Sequence, residues 1–532
     1  MSNPGRKEIP DVCIVGAGLV GGLMAYELAR RGFKVVVLEA GPRYSLHERF
    51  TYMEDIVRGR IPGPAYASNL PARDVFTNAG EVEYPVNWLR AKGVGGSTLH
   101  WGGQIWRFLE SDFRLRSLYG IAEDWPIGYD ELEPYYVKAE RALGVAGTVD
   151  NSFMSRRSAD YPMPAFPFSP ADKIFQEACQ GLGIVVHTIP CARNSVPYQN
   201  RPACAAFATC GTFRICPIAA QYTAETHVNL AEATGNATVI ANAHVVRLVT
   251  DQRKRITSAV YMSPEKKETV QKARLFVLAA HTVETARLLL LSESSQFPHG
   301  LANGSGMVGK NFMERPAVAV SGFLKQNVSP HRIGFPTAAS LQFCDPKNRH
   351  EIGGIKMAFH TMGAPMPHTL ARGSGNWGKA LADEVEQSFG HEIIAEAAIE
   401  QLPDPKNTVT LDPVLRDCYG DLAPRITYSF GAYEKATLDA GTKLSRKILA
   451  AVGVERMADD EEHGFAGHPM GTCRMGNDPD TSVVDRNLQA HEVPNLSIVG
   501  GSVFVTGGSL QPSLTMAALA IRAAEHIAGG KA

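Results

Sequence analysis

The chain has 532 residues, enough for two domains and a large core, and its 53 basic and 54 acidic side chains leave a formal net charge of −1. That balance excludes the polyelectrolyte character of a nucleic-acid binder, so no nucleic-acid partner is expected. No run of eighteen apolar residues occurs and the opening MSNPGRKEIP holds no apolar signal core, so neither a membrane span nor an export signal is expected in the chain itself.

Residues 11 to 43, DVCIVGAGLVGGLMAYELARRGFKVVVLEAGPR, predict strand, turn, helix and strand: Val12 to Val15 is a short apolar run, a helical pattern follows the glycines, and Val35 to Leu38 ends at Glu39. Gly16, Gly18 and Gly21 fit G-x-G-x-x-G, where the first glycine turns tightly, the second admits a pyrophosphate and the third lets helix pack on strand. Glu39, eighteen residues past Gly21, is placed for a ribose diol. The unit predicts a dinucleotide site and leaves NAD and FAD both open. Next, RAKGVGGSTLHWGGQIWRF (90 to 108) sets glycines around Ser97, Thr98, His100 and Trp101. Such a backbone can lie against a flat or phosphorylated ligand, since glycine carries no Cβ.

DWPIGYDELEPYYVKAERALGV predicts a helix that packs Leu132, Tyr135, Tyr136 and Ala139 into the core. Residues 150 to 203 are rich in proline and polar side chains, with one short helix near Lys173 to Leu182, and read as an excursion from the nucleotide domain. Strand and helix then alternate again, with Val239 to Val249 and Leu275 to Ala279 as sheet strands. From about 325 to 455 the texture changes to many short strand-like runs, which predicts a second domain covering the first. The last seventy residues return to a glycine-rich pattern and finish on the helix SLTMAALAIRAAEHIAGG.

The segment HPMGTCRMG, followed by PNLSIVGGSV, resembles the glucose-methanol-choline (GMC) family of FAD-dependent oxidoreductases. The N-terminal unit, KGVGGST, VLAAHTVETARLLLLS and MVGKNFMERP occur in that family's order over nearly the whole length. The resemblance implies an α/β fold: a discontinuous Rossmann-like FAD-binding domain plus a sheet-based substrate domain. Its expected parts are 8–324, with an inserted loop region of about 150–220; 325–458 for substrate; and 459–532 for the rest of the FAD domain.

FAD is the coenzyme this implies, held by Gly16, Gly18, Gly21, Glu39, Gly95, Ser97, His100, Val245 and Ser513. The helix from Ser513 would direct its N–H groups at the flavin, an effect of order 1 kcal/mol. His468 would be the base, since an imidazole titrates near working pH. The family's second active-site residue, usually His or Asn, is here Gln511, whose amide orients but takes no proton. His100 stands where several sugar-oxidising relatives tether the flavin 8-methyl; a covalent link is expected, with a histidine that packs near the ring as the alternative. Arg315 replaces the histidine that the family often has before the proline, and it carries no assigned role.

Nine cysteines are too few for a disulfide scaffold, yet Cys204, Cys210 and Cys216 fall within thirteen residues. The loop RPACAAFATCGTFRICPIAAQY resembles the cluster loop in catalytic subunits of bacterial membrane-linked sugar, gluconate and glucoside dehydrogenases. Three thiolates with no fourth nearby favour a 3Fe-4S cluster over zinc or free cysteines. Cys13, Cys179, Cys191, Cys344, Cys418 and Cys473 read as buried small hydrophobes. The expected enzyme is a dehydrogenase for a carbinol of a carbohydrate, passing electrons through the cluster to a cytochrome c subunit or quinone. A small chaperone-like subunit would carry the export signal, which implies a periplasmic location, with a cytoplasmic one as the alternative. The rivals are an oxidase of the same family, which makes peroxide, and a flavin-containing lyase.

Overall fold

In the computed structural model, residues 9–58, 74–206, 215–328, 335–360, 373–458 and 462–530 are described, with positions 367 and 371. A five-stranded parallel sheet runs in the order Leu496–Ile498, Leu275–Leu278, Val12–Val15, Val35–Leu38, Ala237–Ile240. The three middle strands are apolar throughout and almost wholly buried, as a parallel sheet covered on both faces requires. The helices Leu19–Ala29 and Ser513–Gly529 pack together, so the first and last parts of the chain close one domain. Chain order reverses across Val12–Val15, and a crevice at that switch point is where a ligand is bound in such sheets.

The expected strand Val239 to Val249 divides into two. Ala237–Ile240 joins the parallel sheet, a turn follows with Asn242 at positive φ, and His244–Thr250 starts a separate antiparallel sheet. The polar Asn242 and the small Ala241 and Ala243 break the apolar run at the turn.

The second layer is an antiparallel sheet ordered Arg456–Met457, Pro316–Phe323, Glu392–Ile399, Ile355–His360, Ala338–Ser340, His187–Thr188, with Glu462–Phe465 also on Pro316–Phe323. It draws strands from outside 325–458. Pro316–Phe323 lies one strand in from its edge, and His187–Thr188 comes from the proline-rich excursion, because pairing follows the free strand edges and not the change in composition. One face packs on the helices Pro170–Gly181 and Ala432–Val452 through Val318, Met357, Phe359, Ile393, Ala395 and Ala397. Strand alternation therefore turns Lys356, His360 and Glu396 to the other face. Lys356 and His360 flank Ala358, the residue directly opposite Glu396.

Candidate active site

One continuous cavity of about 530 Å³ is lined by Gly16, Gly18 and Glu39 of the glycine-turn unit and also by Arg315, Glu396, His468 and Gln511. Ser97, His100, Val245 and Ser513 are on its wall as well. Gly21 and Gly95 lie behind it. A Cβ on Gly21 would come within 2.0 Å of the Gly16 carbonyl oxygen, and one on Gly16, at φ +103°, within 2.7 Å of that of Ala279. These contacts are why the turn takes glycine. Gly95 donates from its backbone to the Ala17 carbonyl at 2.9 Å, which locks the 93–96 loop against the glycine turn.

The Glu39 carboxylate accepts backbone N–H bonds from Ala17 at 2.8 Å, Gly41 at 2.9 Å and Gly93 at 3.1 Å. Burial nevertheless raises its pKa. The helices that start at Leu19 and Ser513 have no side-chain cap, so their first N–H groups remain available to an anion. His281 Nε2 and Gln511 Oε1 are buried polar atoms on the cavity wall without a hydrogen-bond partner among the described residues. A polar ligand would satisfy both. On the same wall, Glu284 is held well below the ordinary carboxylate range: burial would raise it, but Arg90, Lys92 and Arg287 outweigh that cost. A long, uncapped, glycine-floored cavity with orphaned polar atoms fits FAD.

At the His468 end, Glu314 organises the backbone. Its carboxylate accepts the His468 N–H at 2.8 Å, the Arg315 N–H at 3.0 Å and the Tyr84 hydroxyl at 3.0 Å. Burial lifts this acid to about 7. Arg315 donates through Nη1 to the Ser509 carbonyl at 3.1 Å and through Nε to His468 Nδ1 at 3.3 Å. A guanidinium has only donors, so Nδ1 accepts and the neutral ring carries its proton on Nε2. Burial, together with the charges of Arg315 and Lys356, pushes His468 well below the ordinary imidazole value.

Glu396 is 3.5 Å from His360 Nε2. Burial would raise its pKa, but His360, Lys356 and Arg315 bring it to about 2, so a full negative charge faces the cavity. Gln511 donates from Nε2 to Gln104 Oε1 at 3.0 Å, and Lys356 donates to the same oxygen at 3.2 Å. Sequence reading missed Glu314, Glu396, Lys356 and Gln104. The available signal was polar: Lys356 and Glu396 sit inside short strands whose other polar residues, His360 and Glu392, are at the ends.

Cys210 lies outside the described residues. Cys204 Sγ accepts from Arg193 Nη1 at 3.7 Å and from the Ala206 N–H at 3.4 Å, and Cys216 Sγ from the Gln221 N–H at 3.4 Å. Arg193 and Gln221 also line the cavity, so both sulfurs are one residue removed from it. Cys13, Cys179, Cys191, Cys344 and Cys473 are buried as expected, with thiols pushed up to about 12 by burial, whereas Cys418 is only partly buried. Arg474 is directed away from the cavity, donating to the Thr481 carbonyl at 2.9 Å. Among the described residues no helix is long and apolar enough to cross a membrane.

Residues 78–317 and 403–520 match the two models described as GMC oxidoreductase, and residues 11–49 match FAD dependent oxidoreductase. The chain is 33% identical to the fructose dehydrogenase large subunit of Gluconobacter japonicus, covering 97% of each. It is 29% identical to 2-methyl-1,2-propanediol dehydrogenase of Mycolicibacterium austroafricanum, over 97% of this chain and 95% of that one. Pyridoxine 4-oxidase from Mesorbium loti shares the fold with a TM-score of 0.67 at 19% identity, over 97% of this chain and 99% of that one.

Proposed function

Because the chain belongs to the GMC family of FAD-dependent oxidoreductases, we propose that it is a dehydrogenase that oxidises a carbinol of a sugar, sugar acid or glycoside. The observation that supports this is convergence: the His468, Gln511 and Glu396 side chains line the same cavity as the glycine turn and Glu39. When bound, FAD supplies the hydride acceptor. Gly16, Gly18, Glu39, Ser97, Val245 and Ser513 would hold it, and His100 would hold it covalently.

His468 takes the hydroxyl proton in this reading. Its one lone pair in the resting tautomer is on Nδ1, beside Arg315. Transfer therefore requires Arg315 to release that nitrogen, or the ring to exchange tautomers. The neighbouring Glu396 carboxylate offsets the positive charge that the ring gains. Gln511 orients the substrate through its amide.

Cys204, Cys210 and Cys216 would hold a 3Fe-4S cluster, which carries single electrons. The N–H donors to both described sulfurs support this, since such bonds favour thiolates and tune clusters. The chain would then act as a large subunit beside a small chaperone-like subunit and a cytochrome c subunit, at the periplasmic face of the inner membrane. The test is anaerobic mixing with a panel of sugars, sugar acids, glycosides and diols. Flavin bleaching, followed by reoxidation with a dye or cytochrome in preference to oxygen, is the expected result. Rapid reoxidation by oxygen with stoichiometric peroxide would instead make it an oxidase, and no bleaching by any carbinol would remove the reading.

A further inference from the structure

Lys356 is fully buried on the inner sheet face, and its ammonium donates to Gln104 Oε1. Burial lowers Lys356 to about 7, and the ammonium it carries below that pH has no acceptor, so the Gln104 atom that meets it is then oxygen. That oxygen also meets the Gln511 amide, so the Gln511 atom there must be the N–H₂ group. The consequence is directional: Gln511 Oε1 is left turned away from Gln104, buried, on the cavity wall and without a hydrogen-bond partner among the described residues.

An acceptor in that position needs a donor from the ligand. The hydroxyl that is oxidised has one proton, and in the reading above that proton goes to His468. We infer that Lys356, acting through Gln104, is a positioning residue that fixes the Gln511 amide as an acceptor for a second substrate hydroxyl, so that the site selects vicinal polyols over simple alcohols. This rests on the dehydrogenase reading and adds to it the feature of the substrate that is recognised. Without Lys356, both amides are free to turn over and Gln511 presents nitrogen as readily as oxygen.

The test uses the holoenzyme and the polyol that bleaches the wild-type flavin, paired with its analogue lacking the neighbouring hydroxyl. Below pH 7, wild type should favour the polyol in flavin reduction (kcat/KM) by roughly tenfold or more, the cost of leaving one buried acceptor without its donor. Lys356→Met should reduce that preference to about twofold, as should Gln511→Leu, and the double variant should lose no more than Gln511→Leu alone, because the two act as one unit. Gln104→Glu, whose carboxylate still accepts from both neighbours, should retain the preference. A residue that merely supports the fold would depress both substrates together. Wild-type discrimination surviving in Lys356→Met, or lost in a Gln104→Glu variant that melts like wild type, overturns the inference while the dehydrogenase reading stands. Absence of bleaching by any polyol in wild type overturns the reading and the inference with it.

Discussion

Arg315 Nε donates to His468 Nδ1 at 3.3 Å, so the base proposed for the reaction is paired with a cation and not with the carboxylate that would hold its proton on Nδ1. Burial and that cation keep the ring neutral far below the ordinary imidazole range. A base works in its neutral form, so the acid limb of kcat/KM for flavin reduction should lie well below pH 6.5. Arg315→Met removes a neighbouring charge, and His468 should move up, taking the acid limb to higher pH with it. An acid limb that stays in place in the variant would show that His468 is not the group titrating.

Replacing His468 by Ala should lower flavin reduction by about 10²- to 10⁴-fold, the usual share of a positioned base. Coenzyme content should not change, because the groups proposed to hold FAD are on other segments of the wall. Rapid anaerobic mixing separates the two effects. Loss of bound flavin would assign His468 to the coenzyme.

Glu314 links the backbone of the proposed base to global stability. Burial raises its pKa to about 7 from an ordinary 4.5, so the folded state holds a proton there that the unfolded chain gives up. Its contribution is therefore fully present below pH 4.5 and is lost as pH rises through 7, a change of order 3 kcal/mol. Glu314→Gln keeps an acceptor oxygen and removes the titration. Thermal melts of the variant between pH 4.5 and 7.5 should show a smaller decline than those of wild type.

The nucleotide unit was legible because its signal is local. Glycines at fixed spacing, an apolar strand on each side and Glu39 at the end all fall within thirty residues of sequence, and the structure sets Gly16, Gly18 and Glu39 on one cavity. Arg315 stood out in the sequence only as a departure, because its meaning depends on His468, 153 positions later. Lys356 and Glu396 were hidden for a similar reason: each is the polar residue inside a short strand that is otherwise polar only at one end, and only the antiparallel register sets Glu396 opposite the gap between Lys356 and His360. Composition likewise misplaced the edge of the second layer. Pro316–Phe323 reads like the preceding domain yet pairs with Glu392–Ile399, a partner that strand pattern alone does not name.

His100 provides a test of coenzyme attachment independent of turnover. It is buried on the cavity wall at the end of the Gly96–Leu99 turn. Acid precipitation of the native protein should leave the yellow colour in the pellet, and His100→Ala should release it to the supernatant. Free FAD from the native protein would reduce His100 to a packing residue.

The cysteine loop makes the last prediction. Cys204 and Cys216 accept from Arg193 and Gln221, which line the cavity, and neither sulfur is on its wall, so losing a thiolate should interrupt electron exit without touching the hydride step. Cys204→Ser and Cys216→Ser should lose iron, the broad visible absorbance of a cluster and its electron-spin-resonance signal. Flavin bleaching by substrate should remain within about twofold of wild type, because neither sulfur is placed among the groups that handle the carbinol. Reduction of cytochrome should fall by at least about a hundredfold, since electron transfer then lacks its intermediate carrier. Arg193→Met gives a graded version: it removes one N–H donor to Cys204, and loss of a positive donor should lower the cluster potential while iron is retained. Iron-free native protein that still reduces cytochrome would remove the cluster from the path.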